Sequence, residues 1–289
     1  MEPVLNLVAR PMAYSQIPKY CRSCLERLAR QAMHLACVAS PENEALALSW
    51  LEELYAPEIP PPLIASLLHR RIKKYCQNPD PYRPLKEKEI EIAQRMARLL
   101  RPYYKDSFEE LLLFSLLGNA LDFFRPLEEV EEAFKKGVKL SIDDRPALSL
   151  RLEETKRLLF LPDNAGEIFF DLPLLAWLQE QNIEVFYAVK PVPIQNDLSL
   201  EDLKRLDLDI PARVISTGAE MVGLSLTEAS EEFLEIFETA DLILAKGMGH
   251  FETLSELARP NLAFLLCAKC VPVSKALGVE LNSYVVKLS

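Results

Sequence analysis

Four short stretches hold the side chains best suited to chemistry. Asp163-Asn164-Ala165-Gly166-Glu167 sets two carboxylates, an amide and a glycine directly after the apolar run Leu158-Leu159-Phe160-Leu161. Asn196-Asp197 closes Pro191-Val192-Pro193-Ile194-Gln195-Asn196-Asp197; Lys246-Gly247-Met248-Gly249-His250 follows Leu242-Ile243-Leu244; Lys269 follows Leu262-Ala263-Phe264-Leu265-Leu266. Carboxylate and amide oxygens from two loops suit a hard cation such as Mg²⁺ or Mn²⁺, which takes oxygen ligands in near-octahedral geometry. Lysines and the backbone donors of a Gly-x-Gly loop before a helix suit an anionic group such as phosphate. Each stretch also has a plainer use. Asp-Asn before a helix is a good N-cap, Asn196-Asp197 before Ser199 a good turn, and His250 fits a cap or packing role better than that of a general base.

What joins the four is their place relative to the elements around them. From residue 156 onward, short apolar runs at Leu158, Val185, Arg213, Leu242, Leu262 and Tyr284 alternate with helical patterns over 168–181, 200–206, 227–237 and 251–257. Continuous apolar strands alternating with helices indicate an α/β fold with a mostly parallel sheet covered on both faces. In such sheets ligands gather at the C-terminal strand ends. Asp163, Asn164, Glu167, Asn196, Asp197, Lys246, the glycine loop and Lys269 all follow strands, so they share one rim.

The first half reads differently. Amphipathic helices are expected over 20–38, 44–54, 63–75, 86–100, 108–117 and 127–134, cut by prolines that lack a donor and clash with the preceding turn. No strand pattern is evident there. The division expected is an all-helical domain over 1–155 and an α/β metal- and phosphate-binding domain over 156–289.

Six cysteines, Cys21, Cys24, Cys37, Cys76, Cys267 and Cys270, are too sparse for a disulfide scaffold. Cys21-x-x-Cys24 and Cys267-x-x-Cys270 admit three readings: small buried side chains, a redox pair, or a Cys₄ structural metal site joining the two ends of the chain. A net charge of −10 and a pI near 5.1 argue against a nucleic-acid footprint. No signal peptide and no stretch of membrane-spanning length is seen, so a cytoplasmic protein is expected.

Several of these blocks resemble the signatures of the metal-dependent damage-control phosphatases, the family long called domain of unknown function 89. They are Asp163-Asn164-Ala165-Gly166-Glu167, Pro193-Ile194-Gln195-Asn196-Asp197, Ala240 through Glu252, and Lys269-Cys270-Val271-Pro272-Val273. Cys21-x-x-Cys24, Asp80-Pro81-Tyr82 with Lys86, and Gly118-Asn119-Ala120-Leu121-Asp122 resemble the CxxC-containing microbial subgroup. The resemblance implies a Rossmann-like α/β/α sandwich beneath a helical domain, with one divalent ion (Mn, Co, Ni or Mg) at the strand ends. By the same resemblance Asp163, Asn164 and Asp197 are the metal ligands. Asp163, Asp197 and Lys246 are the catalytic residues, and Glu167, Lys246, Gly247, Gly249, Lys269 and Asn119 contact the substrate, a small phosphorylated metabolite. The nucleophile is either a water activated at the metal or Asp163. Family members usually carry Asn where this chain has His250 and often Gln where it has Met248. Two rivals to a phosphatase are an S-adenosylmethionine-dependent carboxyl methyltransferase and a non-enzymatic binding protein held by a Cys₄ metal. The first lacks a bare glycine-rich nucleotide loop after its first strand.

Overall fold

The computed structural model describes residues 18–56, 59–120, 138–257 and 259–289. Five helices open the described chain: α1 (Pro18–Ala36), α2 (Pro41–Leu54), α3 (Pro61–Cys76), α4 (Arg83–Leu100) and α5 (Phe108–Leu117). Then come β1 (Leu140–Asp143), α6 (Arg145–Leu152), β2 (Arg157–Leu161), α7 (Ile168–Glu180), β3 (Glu184–Val189), α8 (Leu200–Leu206) and β4 (Arg213–Ser216). The chain finishes with α9 (Glu231–Thr239), β5 (Leu242–Lys246), α10 (Gly247–Leu254), β6 (Leu262–Ala268), α11 (Val271–Leu277) and β7 (Ser283–Leu288). Proline occupies the first turn of α2, α3 and α4, where its missing N–H costs nothing.

The seven strands form one sheet in the order β1-β7-β6-β5-β2-β3-β4. All pairs are parallel except β6 with β7. The period of two divides each strand between two cores. Leu158 and Phe160 face one, with residues of α5, α6, α7 and α8; Leu159 and Leu161 face the other, with residues of α9 and α10. The result is the α/β fold with a mixed, mostly parallel sheet that the alternation implied.

Helices α1, α2 and α3 close a separate core around Ala29, Ala32, Met33, Ala47, Leu51 and Leu68. They are held over the sheet by polar bonds: Lys73 Nζ donates to the Pro193 carbonyl at 2.7 Å, Arg70 to the Glu220 carbonyl at 2.6 Å, and Val222 N–H to Ser66 Oγ at 3.0 Å. Lys86 on α4, fully buried, lies 3.1 Å from Asp80 and 3.0 Å from Asp202 at the start of α8.

Three expectations change. Leu140–Asp143 is a strand, paired with β7, so the sheet begins inside the half read as purely helical. The helix expected over 251–257 starts at Gly247, so Gly247-Met248-Gly249 is a first helical turn and not a loop. Cys37 and Cys76 form a disulfide between the ends of α1 and α3, with Cα atoms 5.5 Å apart. The helix expected over 127–134 lies outside the described residues, as do Leu121 and Asp122.

Candidate active site

Strand β2 is the point where the topology reverses: β3 and β4 extend the sheet on one side of it, and β5, the next strand in sequence, pairs on the other. In an open parallel sheet the crevice at that reversal is where ligands bind. Asp163 follows β2 and Lys246 ends β5, so both stand beside it.

Backbone pairing brings Asp197 to the same place. The Asp163 turn and the loop after β3 run antiparallel, with Asn164 bridged to Asp197. Ala165 N–H donates to the Asn196 carbonyl at 2.8 Å, and Leu198 N–H to the Asp163 carbonyl at 2.9 Å. Beyond this bridge, Ser199 caps α8, accepting from Asp202 N–H while the Asp202 carboxylate accepts from Ser199 N–H. Lys86 grips Asp202 from α4, so the loop that presents Asp197 is tied at both ends.

Asp163 is packed from several directions. Gly247 has φ 82°, and a Cβ there would fall 2.1 Å from Asp163 Oδ2, so only glycine lets the β5–α10 junction pass so close. Asn119 Nδ2 donates to Asp163 Oδ2 at 3.1 Å and to Glu167 Oε1 at 2.9 Å, while its own oxygen accepts from Cys267 N–H at 3.0 Å. Asn164 Nδ2 donates to the same Asp163 oxygen at 3.1 Å. Burial raises the Asp163 carboxyl well above the usual range; Glu167 and Asp197 add to the rise, and Lys269 and Lys190 oppose it. Burial likewise pushes Asp197 up to about 6, against the pull of Lys190. Asp197 Oδ2 takes no hydrogen bond; Lys190 Nζ stands 3.5 Å away and bonds the Gly223 carbonyl.

Behind these carboxylates lies a second, sealed layer. Lys246 Nζ is 2.7 Å from Glu167 Oε2 and 2.6 Å from Asp171 Oδ1, and donates to the Ser115 carbonyl at 3.0 Å. Asp171 also accepts from Ser115 Oγ at 2.6 Å and from the Tyr187 hydroxyl at 2.8 Å. Lys246, Glu167 and Asp171 are fully buried. Burial would raise Glu167, but the Lys246 ammonium and its hydrogen bonds outweigh that and hold it below its usual value. Burial would lower Lys246, and its two carboxylates reverse that too.

A cavity of about 540 Å³ opens over the strand ends. Of the residues expected at the site, Asp163, Asn164, Asp197, Asn119, Gly249 and Lys269 line it. Glu167, Lys246 and Gly247 are absent from that lining and sit beneath it. Gly249 serves packing as well: the carbonyl there would be 2.3 Å from a Cβ on Gly223, which has φ 70°. His250 is buried, its Nδ1 2.7 Å from the Lys246 carbonyl; burial and the nearby Lys190 push it down to about 3, so the ring stays neutral.

Sequence reading missed Lys190 and Asp171. Both left a trace, Lys190 as a lysine directly after the apolar run of β3 and Asp171 as a lone acid in the apolar stretch Ile168-Phe169-Phe170-Asp171-Leu172. The Cys₄ metal site is not formed. Among the described residues no group of three or more His, Cys, Asp or Glu side chains is placed to hold a metal. Cys267 is buried at the end of β6, whereas Cys21, Cys24 and Cys270 line the cavity. Among the described residues no helix is long and apolar enough to cross a membrane.

Known proteins resemble this chain over most of its length. A damage-control phosphatase of Pyrococcus horikoshii is 36% identical over 274 residues, covering 91% of this chain and 95% of its own. A damage-control phosphatase of Archaeoglobus fulgidus is 31% identical over 238 residues, covering 78% and 81%. The crystal structure of a domain of unknown function 89 family protein from P. horikoshii superposes with a TM-score of 0.84 at 35% identity, covering 93% of this chain and 97% of that one. The model of the damage-control phosphatase ARMT1-like domain matches residues 17–285, and the chain belongs to that family.

Proposed function

We propose that the chain is a divalent-metal-dependent phosphomonoesterase acting on a small phosphorylated metabolite. What supports this reading is the bridge from Asn164 to Asp197, with the Asp163 and Asp197 carboxyls on one cavity wall, each raised by burial, and Lys269 on the same wall. The donor set fits a hard cation. Asp163, Asn164 and Asp197 offer only oxygens as ligands, and Asp197 Oδ2 is buried without a hydrogen bond. A divalent ion held there would supply Lewis acidity toward the phosphoryl oxygens.

The chain's own residues then divide the work. Lys269 faces the carboxylates and neutralises charge on the phosphate, where it grows in transfer. Asn119 and Asn164 orient Asp163 through their amide donors. Glu167 is held ionised by Lys246 and accepts from both amides, fixing which way they turn. In this reading Lys246 acts from behind the carboxylates and not on the phosphate. The attacking oxygen belongs to a water or to Asp163.

Hydrolysis of p-nitrophenyl phosphate after chelation and readdition of Mn²⁺, Co²⁺, Ni²⁺ or Mg²⁺ tests this directly. Asp163→Ala and Asp197→Ala are each expected to lose about 100-fold or more, the scale of removing a group that stabilises transferred charge. The same metal should raise the melting temperature of the wild type and leave both variants unmoved. Full activity in metal-stripped protein would overturn the reading.

A further inference from the structure

The cavity lining holds two chemically distinct groups of side chains. One is Asp163, Asp197, Asn119 and Lys269; the other is Cys21 and Cys24 from α1, Glu252 from α10 and Cys270 beside α11. Glu252 is partly buried and, among the described residues, takes neither a hydrogen bond nor an ion pair. Its neighbours do not compensate it. Burial, with Glu252 and the other thiols adding to it, pushes Cys21 up to about 12. Burial and Glu252 do the same for Cys270. Thiols held protonated are poor nucleophiles and carry no charge, which argues against a redox centre at this wall. Arg27, a cation on the same wall, is exposed and contacts Cys24 Sγ at 3.7 Å.

A partly buried carboxyl without a partner is a cost the fold bears, and a ligand that brings a donor recovers it. The same cavity is lined by the apolar side chains of Leu25, Leu28, Pro62, Val222 and Met248, which carry no donor. A phosphate against Lys269 would point its organic part along this cavity, whose volume suits a small metabolite.

Resting on the phosphatase reading above, we propose that Glu252 is a specificity-determining residue, accepting an O–H or N–H donor on the organic part of the phosphomonoester. Sites built to hydrogen-bond a substrate group reject analogues lacking it far more strongly than apolar pockets reject an added group.

The test is a matched series of alkyl phosphates, three to six carbons long, ending in methyl, hydroxyl or primary amine. It is run on the holoenzyme with the best metal, and p-nitrophenyl phosphate serves as a reference for the wild type. For the wild type, kcat/KM for the hydroxyl or amine ester should exceed that of the methyl ester by about tenfold, chiefly through KM, consistent with one net hydrogen bond. Glu252→Leu should erase the donor preference, with folding checked by its melting temperature. Glu252→Gln, nearly isosteric, should keep a preference for hydroxyl and lose one for amine, which separates the two donor classes. Wild-type hydrolysis of p-nitrophenyl phosphate without any donor preference, or a preference that survives Glu252→Leu, would overturn this proposal and leave the phosphatase reading standing. Hydrolysis of none of these esters would overturn both.

Discussion

Two groups of buried charge stand side by side in this molecule and are treated in opposite ways. Lys246, Glu167 and Asp171 form a closed set in which the ammonium meets two carboxylates and a carbonyl, and Asp171 gains Ser115 and Tyr187 as further donors. Asp163, Asp197 and Glu252, on the cavity wall, are all raised by burial and lack compensation of that quality. The first arrangement is what a fold does with charge it must keep and does not expose. The second is what remains when charge is held ready for something that arrives. Perturbed carboxylates in a cleft mark functional sites, whereas satisfied networks equally perturbed can be structural.

Breaking the closed set should have the largest effect on stability. Lys246→Met leaves two carboxylates buried without their cation, and removing one partner of a buried pair costs about 3–5 kcal/mol. Urea unfolding should show this as a fall in midpoint with little change in slope. Adding Glu167→Gln and Asp171→Asn to Lys246→Met should return much of it. If Lys246→Met unfolds like the wild type while losing activity, the ammonium acts on the substrate phosphate, as the family resemblance implies, and not as a strut.

The open set should show itself through pH. Glu252 has a folded pKa raised to about 8, against about 4.5 unfolded. Between those values the native state holds a proton that the unfolded chain has released, so the residue's contribution to stability falls as pH rises through that window. Facing Glu252 are Cys21 and Cys24 on α1 and Cys270 before α11, with Arg27 on the same cavity wall. The two shifted thiols stay protonated across the window. Glu252→Gln lacks the transition, so its stability relative to wild type should climb with a slope of up to about 1.4 kcal/mol per pH unit and level off above pH 8. Urea midpoints of the two proteins at matched pH measure it; parallel curves would mean that Glu252 is ionised and solvated.

Much of this was legible in the residues. Apolar runs without alternation indicate the parallel strands, and the rule that ligands meet at strand ends puts Asp163, Asp197 and Lys269 on one rim. What the pattern lacked was depth. Lys246 closes one strand and Lys190 directly follows another, and nothing in the spacing says that the Lys246 side chain turns inward to Asp171. Strand β1 escaped because Leu140-Ser141-Ile142-Asp143 is a short, half-buried edge whose apolar signal amounts to two residues. The start of α10 escaped because its glycines read as loop, although Gly247 is required by a close approach to Asp163 and the helix begins there. The Cys37–Cys76 disulfide joins residues 39 apart, a proximity that only the packing of α1 on α3 creates.

The smallest expected effect is the most diagnostic of the contrast. Asp163→Asn in metal-free protein removes one of three carboxylates that raise one another, Asp163, Glu167 and Asp197, while keeping the side-chain shape. Where charge is structural, such a change destabilises. Here relief of like-charge repulsion should leave stability unchanged or raise it by about 1 kcal/mol, the ordinary scale of a single substitution but of the opposite sign. Activity should collapse in the same variant. Catalytic loss joined to undiminished stability is the signature of a residue strained for function, since relieving strain at a working site stabilises the fold at the expense of activity. A loss of 2 kcal/mol or more in the urea midpoint would instead place Asp163 with Glu167 and Lys246 in the closed set.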